Sequence, residues 1–247
     1  MRVVVIGGSG HIGTYLIPRL ISNGHEVINV SRGSHRPYRM SGLWGSVTQV
    51  TIDRMIEEKN GTFGKAIREL NPDAVIDLIC FTQESGEQLV TGLAGSIQCL
   101  LVCGTIWVHG YGTEIPLTED SPRHPIGDYG IRKAELESFL LREARKNGFP
   151  VSILHPGHIV GPGWRPVNPQ GNLNLTVFEK LAHGEELVLP NNGLETLHHV
   201  HADDVAQSFM RALASFSTAR GEAFHIVSEQ ALTLRGYAEA VASWFGR

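Results

Sequence analysis

The chain has 247 residues, 21 Lys and Arg against 25 Asp and Glu, and a formal net charge of −4. That length suits one large α/β domain, or a nucleotide-binding domain with a small lobe, and argues against two equal domains. No segment concentrates Lys and Arg, so nothing marks a nucleic-acid or anionic-membrane surface; no apolar run reaches the ~20 residues a membrane helix needs.

Cys80, Cys99 and Cys103 are odd in number, lie in apolar runs and lack a paired C-x-x-C spacing. They predict neither a disulfide framework nor a zinc site, and point to a reducing, cytoplasmic setting. The chain opens directly on an apolar strand pattern, without a charged stretch preceding a separate apolar segment. A small molecule is the default partner.

Val3-Val4-Val5-Ile6 reads as a strand buried on both faces. Gly7, Gly10 and Gly13 follow in a G-x-x-G-x-x-G spacing, and Ile12, Tyr15, Leu16, Arg19 and Leu20 give the period of a helix. A glycine turn opening a helix is a phosphate cradle, because backbone N–H groups and the helix dipole favour an anion there. Gly7, Ser9, Gly10, His11, Ile12 and Gly13 are therefore the candidate cofactor contacts on this turn.

A second strand over Glu26–Val30 ends at Ser31 and Arg32. In nucleotide folds an acidic residue near this point accepts the ribose 2′-hydroxyl, whereas a guanidinium can grip a 2′-phosphate. Ser31 and Arg32, with Arg36 as a second clamp, favour NADP over NAD, with NAD still compatible. Residues 34–46 read as loop and Val47–Ile52 as a third strand, with Asp53 and Arg54 placed to approach the adenine. A helix over Phe63–Leu70, a strand over Ala74–Ile79, a helix over Glu84–Leu93 and a strand over Cys99–Cys103 follow. This alternation predicts an α/β fold, a doubly wound parallel sheet of Rossmann type, because parallel neighbours need long crossovers.

Next come a helix over Asp128–Lys146, a strand over Val151–Leu154 and a proline- and glycine-rich loop from residue 161 to 172. Further helices are expected over Leu173–Leu181, Asp203–Ala214 and Leu234–Trp244. Leu187–Leu189, His199–His201 and Ala223–Val227 are expected as strands. The predicted organisation is a dinucleotide-binding core over 1–160 and a small C-terminal substrate lobe over 161–247, interleaved with the last strands and helices of the core.

Tyr129 and Lys133 stand at i and i+4, hence on one helical face, after the fifth strand. A phenol titrates near 10, so a tyrosinate at pH 7 needs about 4 kcal/mol of help. An ammonium at ~4 Å supplies that order of energy in a partly buried site. Tyr129 then serves as acid/base, Lys133 tunes it and holds the nicotinamide ribose, and Thr105 hydrogen-bonds the reacting oxygen.

These segments together resemble the extended short-chain dehydrogenase/reductase superfamily, the NAD(P)-dependent epimerase/dehydratase group, over essentially the full length. The matching pieces are Gly7 to Gly13, Asp77 to Cys80, Leu101 to Thr105, Tyr129 with Lys133, His155 to Gly163 and His201 to Ala206. The resemblance implies an oxidoreductase or epimerase/dehydratase acting on a hydroxyl or carbonyl of a small, sugar-like metabolite. It implies Thr105, Tyr129 and Lys133 as the catalytic set, and Ile79 with Pro156, Gly157, His158 and Ile159 on the nicotinamide side. Asp204 matches an aspartate whose role is structural. Dimers built on the two helices flanking the catalytic edge are common in the superfamily, so a homodimer is compatible with it.

Departures narrow what carries over. His155 stands where an arginine often precedes the proline, and Leu197 where nucleotide-sugar epimerases place an arginine that grips the diphosphate. A leucine cannot do that, which argues against a nucleotide-sugar substrate. The chain ends at Arg247, shorter than most extended members, so part of the usual substrate lobe is expected to be absent or to lie beyond this sequence. His198, His199 and His201 invite a metal reading, but no carboxylate or cysteine spacing completes a site and no metal is expected. His155 and His158 are candidates for substrate contact or for packing. A second function class, a non-catalytic dinucleotide-binding regulator or RNA-associated member, rests on the similarity of Val30 to Gly33 and Asp77 to Cys80 to nucleic-acid-binding relatives, against the acidic charge.

Overall fold

The structure is a computed structural model that describes residues 1–112 and 114–247. In chain order its strands are β1 (Arg2–Ile6), β2 (Glu26–Ser31), β3 (Thr48–Thr51), β4 (Ala74–Asp77), β5 (Cys99–Cys103), β6 (Val151–Pro156), β7 (His158–Val160), β8 (Thr196–Leu197), β9 (His199–His201), β10 (Ala223–Ile226) and β11 (Leu232–Thr233). The helices are α1 (His11–Ser22), α2 (Arg54–Lys59), α3 (Phe63–Arg68), α4 (Gln83–Leu93), α5 (Gly127–Asn147), α6 (Thr176–His183), α7 (Ala202–Ala214), α8 (Phe216–Ala219) and α9 (Leu234–Trp244).

Two compact units result, one of Met1–Pro156 with Asp203–Ile226, the other of Gly157–Ala202 with Val227–Arg247. The first holds a seven-stranded sheet in the order β10-β6-β5-β4-β1-β2-β3, and its neighbouring strands pair in parallel. This is the doubly wound arrangement expected from the alternation of strands and helices, with the order reversing between β1 and β4.

The branched residues explain why β1 lies inside: Val3, Val4, Val5 and Ile6 are all within 1% of complete burial. Alternate residues point to opposite faces. Val4 and Ile6 join Val75, Leu100, Val102 and Ile153 against Phe63, Ile67, Leu89, Leu93, Leu136 and Leu140 from α3, α4 and α5. Arg19 of α1 grips Asp203 of α7 through two hydrogen bonds of 2.8 and 2.6 Å, joining two helices of this unit.

The second unit has its own apolar cluster, in which Val177 and Leu181 of α6 meet Leu197 of β8 and Leu234, Tyr237, Ala238 and Val241 of α9. Within it β7 pairs in parallel with β9, and β8 pairs antiparallel with β11. The strand expected over Leu187–Leu189 does not form. Its two leucines instead pack against the apolar cluster, so their alternation reflects burial without a hydrogen-bonded ladder. Helix α2 falls where no element was expected: Asp53 caps it, accepting from Met55 N at 3.0 Å and Ile56 N at 3.4 Å.

Helix α2 also delivers Arg54 to the end of β4. Its Nη1 lies 2.9 and 2.8 Å from the two oxygens of Asp77, a residue with no exposed surface, and its Nε donates to Glu58 at 2.6 Å. Burial alone would lower the guanidinium, but Asp77, Cys80 and Glu58 outweigh it and the pKa is raised. Breaking a buried ion pair strands a charge and costs about 3–5 kcal/mol. Asp77→Asn is therefore expected to lower stability to urea unfolding by about 3 kcal/mol, whereas a loss below about 0.5 kcal/mol would mean that the pair behaves as a surface bridge.

Candidate active site

The glycine turn links β1 to α1 as the spacing predicts. Gly7 has φ of +81°, and its N–H donates to Val30 O at 2.9 Å. A Cβ on Gly13 would fall 2.0 Å from Gly8 O, so only glycine lets α1 start this close to the turn. Gly10 is the N-cap of α1, with no side-chain capping bond and no acidic residue in the first turn. Ser9, His11, Ile12 and Gly13 are buried around it. The turn thus combines a glycine backbone with a helix N-terminus that carries no anion of its own, the features that suit a bound pyrophosphate.

At the end of β2, Ser31 Oγ accepts from Gly33 N at 3.2 Å, and Arg32 is exposed. Asp53 and Arg54, expected near the adenine, carry partners of their own: the carboxylate caps α2 and the guanidinium binds Asp77.

The turn is coupled to the expected catalytic edge through the segment after β4. A Cβ on Gly7 would come within 2.8 Å of Ile79 Cγ2, so Ile79 packs directly on the cradle. The next residue, Cys80, accepts from Lys133 Nζ at 2.6 Å, and Cys103 O at the end of β5 accepts from the same nitrogen at 2.7 Å. Lys133 is 3% exposed and its Nζ lies 4.9 Å from the centre of the Phe81 ring. Two of its three donors are thereby held on backbone carbonyls.

Tyr129 sits one turn earlier on α5, is 48% exposed, and has its ring 6.4 Å from that of Phe81. Thr105 is buried and accepts from Trp107 N at 3.3 Å. Burial pushes the Tyr129 phenol up, Cys103 adds to that, and the Thr105 side chain opposes it. The sequence spacing led us to expect the opposite direction. The difference arises because Lys133 directs its ammonium to two backbone carbonyls. The cysteines around it are inert thiols: burial pushes Cys80 up to about 12 and Cys103 to about 11.

Pro156 ends β6 and belongs to the first unit. Gly157, His158 and Ile159 belong to the second, where His158 N donates to His198 O at 2.7 Å and Ile159 stands opposite Val200. His158 and His199 are both lowered by burial, His199 to about 4. Leu197 is 7% exposed and lies in the apolar cluster of that unit. His155 has no exposed surface and bonds Glu137 at 2.5 Å, so it is a packed residue of the first unit's interior. Glu137 follows Tyr129 and Lys133 at the same four-residue interval on α5; that repeat was visible in the sequence, but nothing local announced its partner.

Comparison with known proteins bears on the family and the fold. The NAD dependent epimerase/dehydratase family matches residues 3–226. A 2′-dehydrokanamycin reductase of Streptomyces kanamyceticus is 28% identical over 247 residues, covering all of this chain and 67% of that protein. The chloroplast stem-loop binding protein of 41 kDa b of Arabidopsis thaliana is 23% identical over 248 residues, covering 98% and 62%. The chain thus spans about two thirds of the length of these relatives. A dTDP-glucose 4,6-dehydratase of Bacillus anthracis, solved in complex with NAD, shares the fold with a TM-score of 0.80 at 18% identity, covering 100% of this chain and 81% of that one.

The raised phenol has a direct readout. Its protonated form persists to higher pH than in free tyrosine, so at neutral pH Tyr129 is the phenol and the tyrosinate requires help. At pH 10.0, the ordinary midpoint, Tyr129 should be less than half ionised in the ligand-free protein. Tyrosinate absorbance of the wild type minus that of Tyr129→Phe measures this, and ionisation beyond one half would contradict it.

Proposed function

The chain belongs to the NAD dependent epimerase/dehydratase family, and from that membership we propose that it is an NADP-dependent oxidoreductase acting on a carbonyl or hydroxyl of a small, sugar-like metabolite. The observation that carries this reading is the convergence, within one unit, of the glycine turn, Ile79, Lys133, Thr105 and Tyr129. Gly7, Gly10 and Gly13 would hold the pyrophosphate, Ile79 would wall the nicotinamide side, and the third donor of Lys133 would reach the ribose. NADP(H), when bound, supplies or accepts a hydride.

The chain's own residues handle the proton. Thr105 holds the substrate oxygen in line with Tyr129, and the Tyr129 hydroxyl gives its proton to that oxygen as the carbonyl is reduced. At neutral pH the phenol carries the proton that the reducing direction consumes, and its raised pKa makes it a weaker acid until a cation is brought next to it. In the oxidising direction the phenol must first lose its proton, and a cation brought next to it favours that loss.

Two features bear on ligand choice. The end of β2 offers the exposed Arg32 in place of a carboxylate, which favours the 2′-phosphate of NADP by a charge-assisted contact. Leu197 is buried in the core of the second unit and brings no cation to a diphosphate, which favours a substrate without a nucleotide. The relative named for reducing 2′-dehydrokanamycin supports carbonyl reduction.

A panel of sugar-like ketones, followed by NADPH absorbance and product analysis, tests the assignment. Tyr129→Phe should lower kcat about 10²- to 10⁴-fold while NADPH still binds. Arg32→Ala should weaken NADPH and leave NADH binding nearly unchanged. Unchanged turnover in the first variant would overturn the role of Tyr129. An unchanged NADPH-to-NADH ratio in the second would overturn the 2′-phosphate contact.

A further inference from the structure

Three histidines far apart in sequence meet inside the first unit, next to Gly104 at the end of β5 but with none of the three assigned to hydride or proton transfer. His109 follows the short turn after β5, His155 lies in β6, and His225 lies opposite it in β10. His109 and His155 are 1% and 0% exposed, and His225 is half-buried. One ring nitrogen of each lies within 4.8 Å of one on each of the others.

Their hydrogen bonds leave the group incomplete. His109 Nε2 and His225 Nε2 are 2.8 Å apart, so one donates to the other. His155 Nε2 lies 2.5 Å from Glu137 Oε2, and Arg123 pairs with the other Glu137 oxygen. With Nε2–H donating to the carboxylate, the tautomer leaves the lone pair of His155 on Nδ1, a buried atom with no hydrogen-bond partner. A carboxylate behind an imidazole, fixing its tautomer and leaving the other nitrogen as a base, is the second layer typical of metal-binding histidines. Apolar packing calls for none of this: an interior lined with three imidazoles and an orphaned nitrogen is costly unless something occupies the lone pairs.

We propose that His109, His155 and His225 form a binding site for one divalent transition-metal ion of the zinc class, with Glu137 orienting His155. Three imidazoles at about 2.0–2.1 Å from a tetrahedral ion stand ~3.3 Å apart. The nitrogens that the three rings offer lie no more than 4.8 Å apart, and the Nε2 atoms of His109 and His225 are 2.8 Å apart, on either side of that value. The Arg123–Glu137 pair cancels its own charge, and the Glu119 carboxylate, which accepts from His225 N at 2.7 Å, adds a negative charge beside the imidazoles. The fourth position is left to water or an exchangeable ligand, as in three-histidine sites. The ion would cross-link β6 and β10 to the segment that begins at Thr105. It therefore stabilises one end of the catalytic edge without taking part in proton transfer, and the site stands whatever the substrate is.

Co²⁺ is the probe. The full chain, stripped with a chelator and titrated with Co²⁺, should take up one ion per chain, develop the strong visible absorption of a four- or five-coordinate nitrogen-ligated ion, and melt at a higher temperature. Glu137→Gln should weaken Co²⁺ about 10- to 100-fold. His109→Gln and His225→Gln should weaken it by at least as much, while His183→Gln, an exposed histidine in the second unit, should not. Half-buried His225 is the mildest of these substitutions, and far-ultraviolet circular dichroism of the metal-free variants checks their fold. Should the variants unfold, the wild-type spectrum decides: weak, six-coordinate absorption would overturn the site. Absence of stoichiometric binding, or undiminished binding in folded His225→Gln, would overturn it equally.

Discussion

A cation carried into the interior must find oxygen atoms there, and the position of Lys133 organises the first unit around that requirement. Its Nζ is held by the carbonyls of Cys80 and Cys103, the first just past β4 and the second at the end of β5. These carbonyls stand where the sheet gives out and its ladder no longer claims them, so α5 is pinned across two strand ends. The register of α5 then fixes where Tyr129 stands one turn earlier and where Glu137 stands one turn later. A shift of one residue along α5 would leave a buried ammonium without partners, which is far more costly than losing apolar contact.

The exit of β4 is braced from both sides by the same logic. Arg54 reaches Asp77 from α2 and comes within 3.4 Å of Cys80 Sγ, while Lys133 takes the Cys80 carbonyl. Between these two cations Ile79 packs on Gly7, which ties the phosphate turn to the catalytic edge through a single short segment. The glycine turn and the Tyr129 edge are thus joined within one unit, the positioning that the proposed transfer requires.

Local rules made much of this legible in the sequence. Val3 to Ile6 announce a doubly buried strand because nothing but parallel-sheet burial tolerates such a run, and Gly7 and Gly13 announce the turn because it needs a positive φ and a close backbone approach. The four-residue interval of Tyr129 and Lys133 needs only helical geometry. What stayed hidden depends on partners distant along the chain. Arg54 and Asp77 are separated by a helix and a strand, so the ion pair that draws Arg54 inward carries no local signature. The direction of the Tyr129 shift depends on where Lys133 aims its donors, which no local pattern shows. His155 stood out in the sequence, but nothing local joined it to His109 and His225, which the turn after β5 and the pairing of β10 with β6 bring beside it. Leu187–Leu189 shows the converse: alternation alone cannot distinguish a ladder from leucines packed on a core.

The central claim is that Tyr129, Thr105 and Lys133 stand beside a nicotinamide and move a proton in step with a hydride. Transfer of deuterium from 4-deuterated NADPH to a ketone substrate, followed by mass spectrometry of the product, tests this most directly. One deuterium on the new carbinol carbon for each NADPH oxidised is the expected result. Product formed without the label would contradict it.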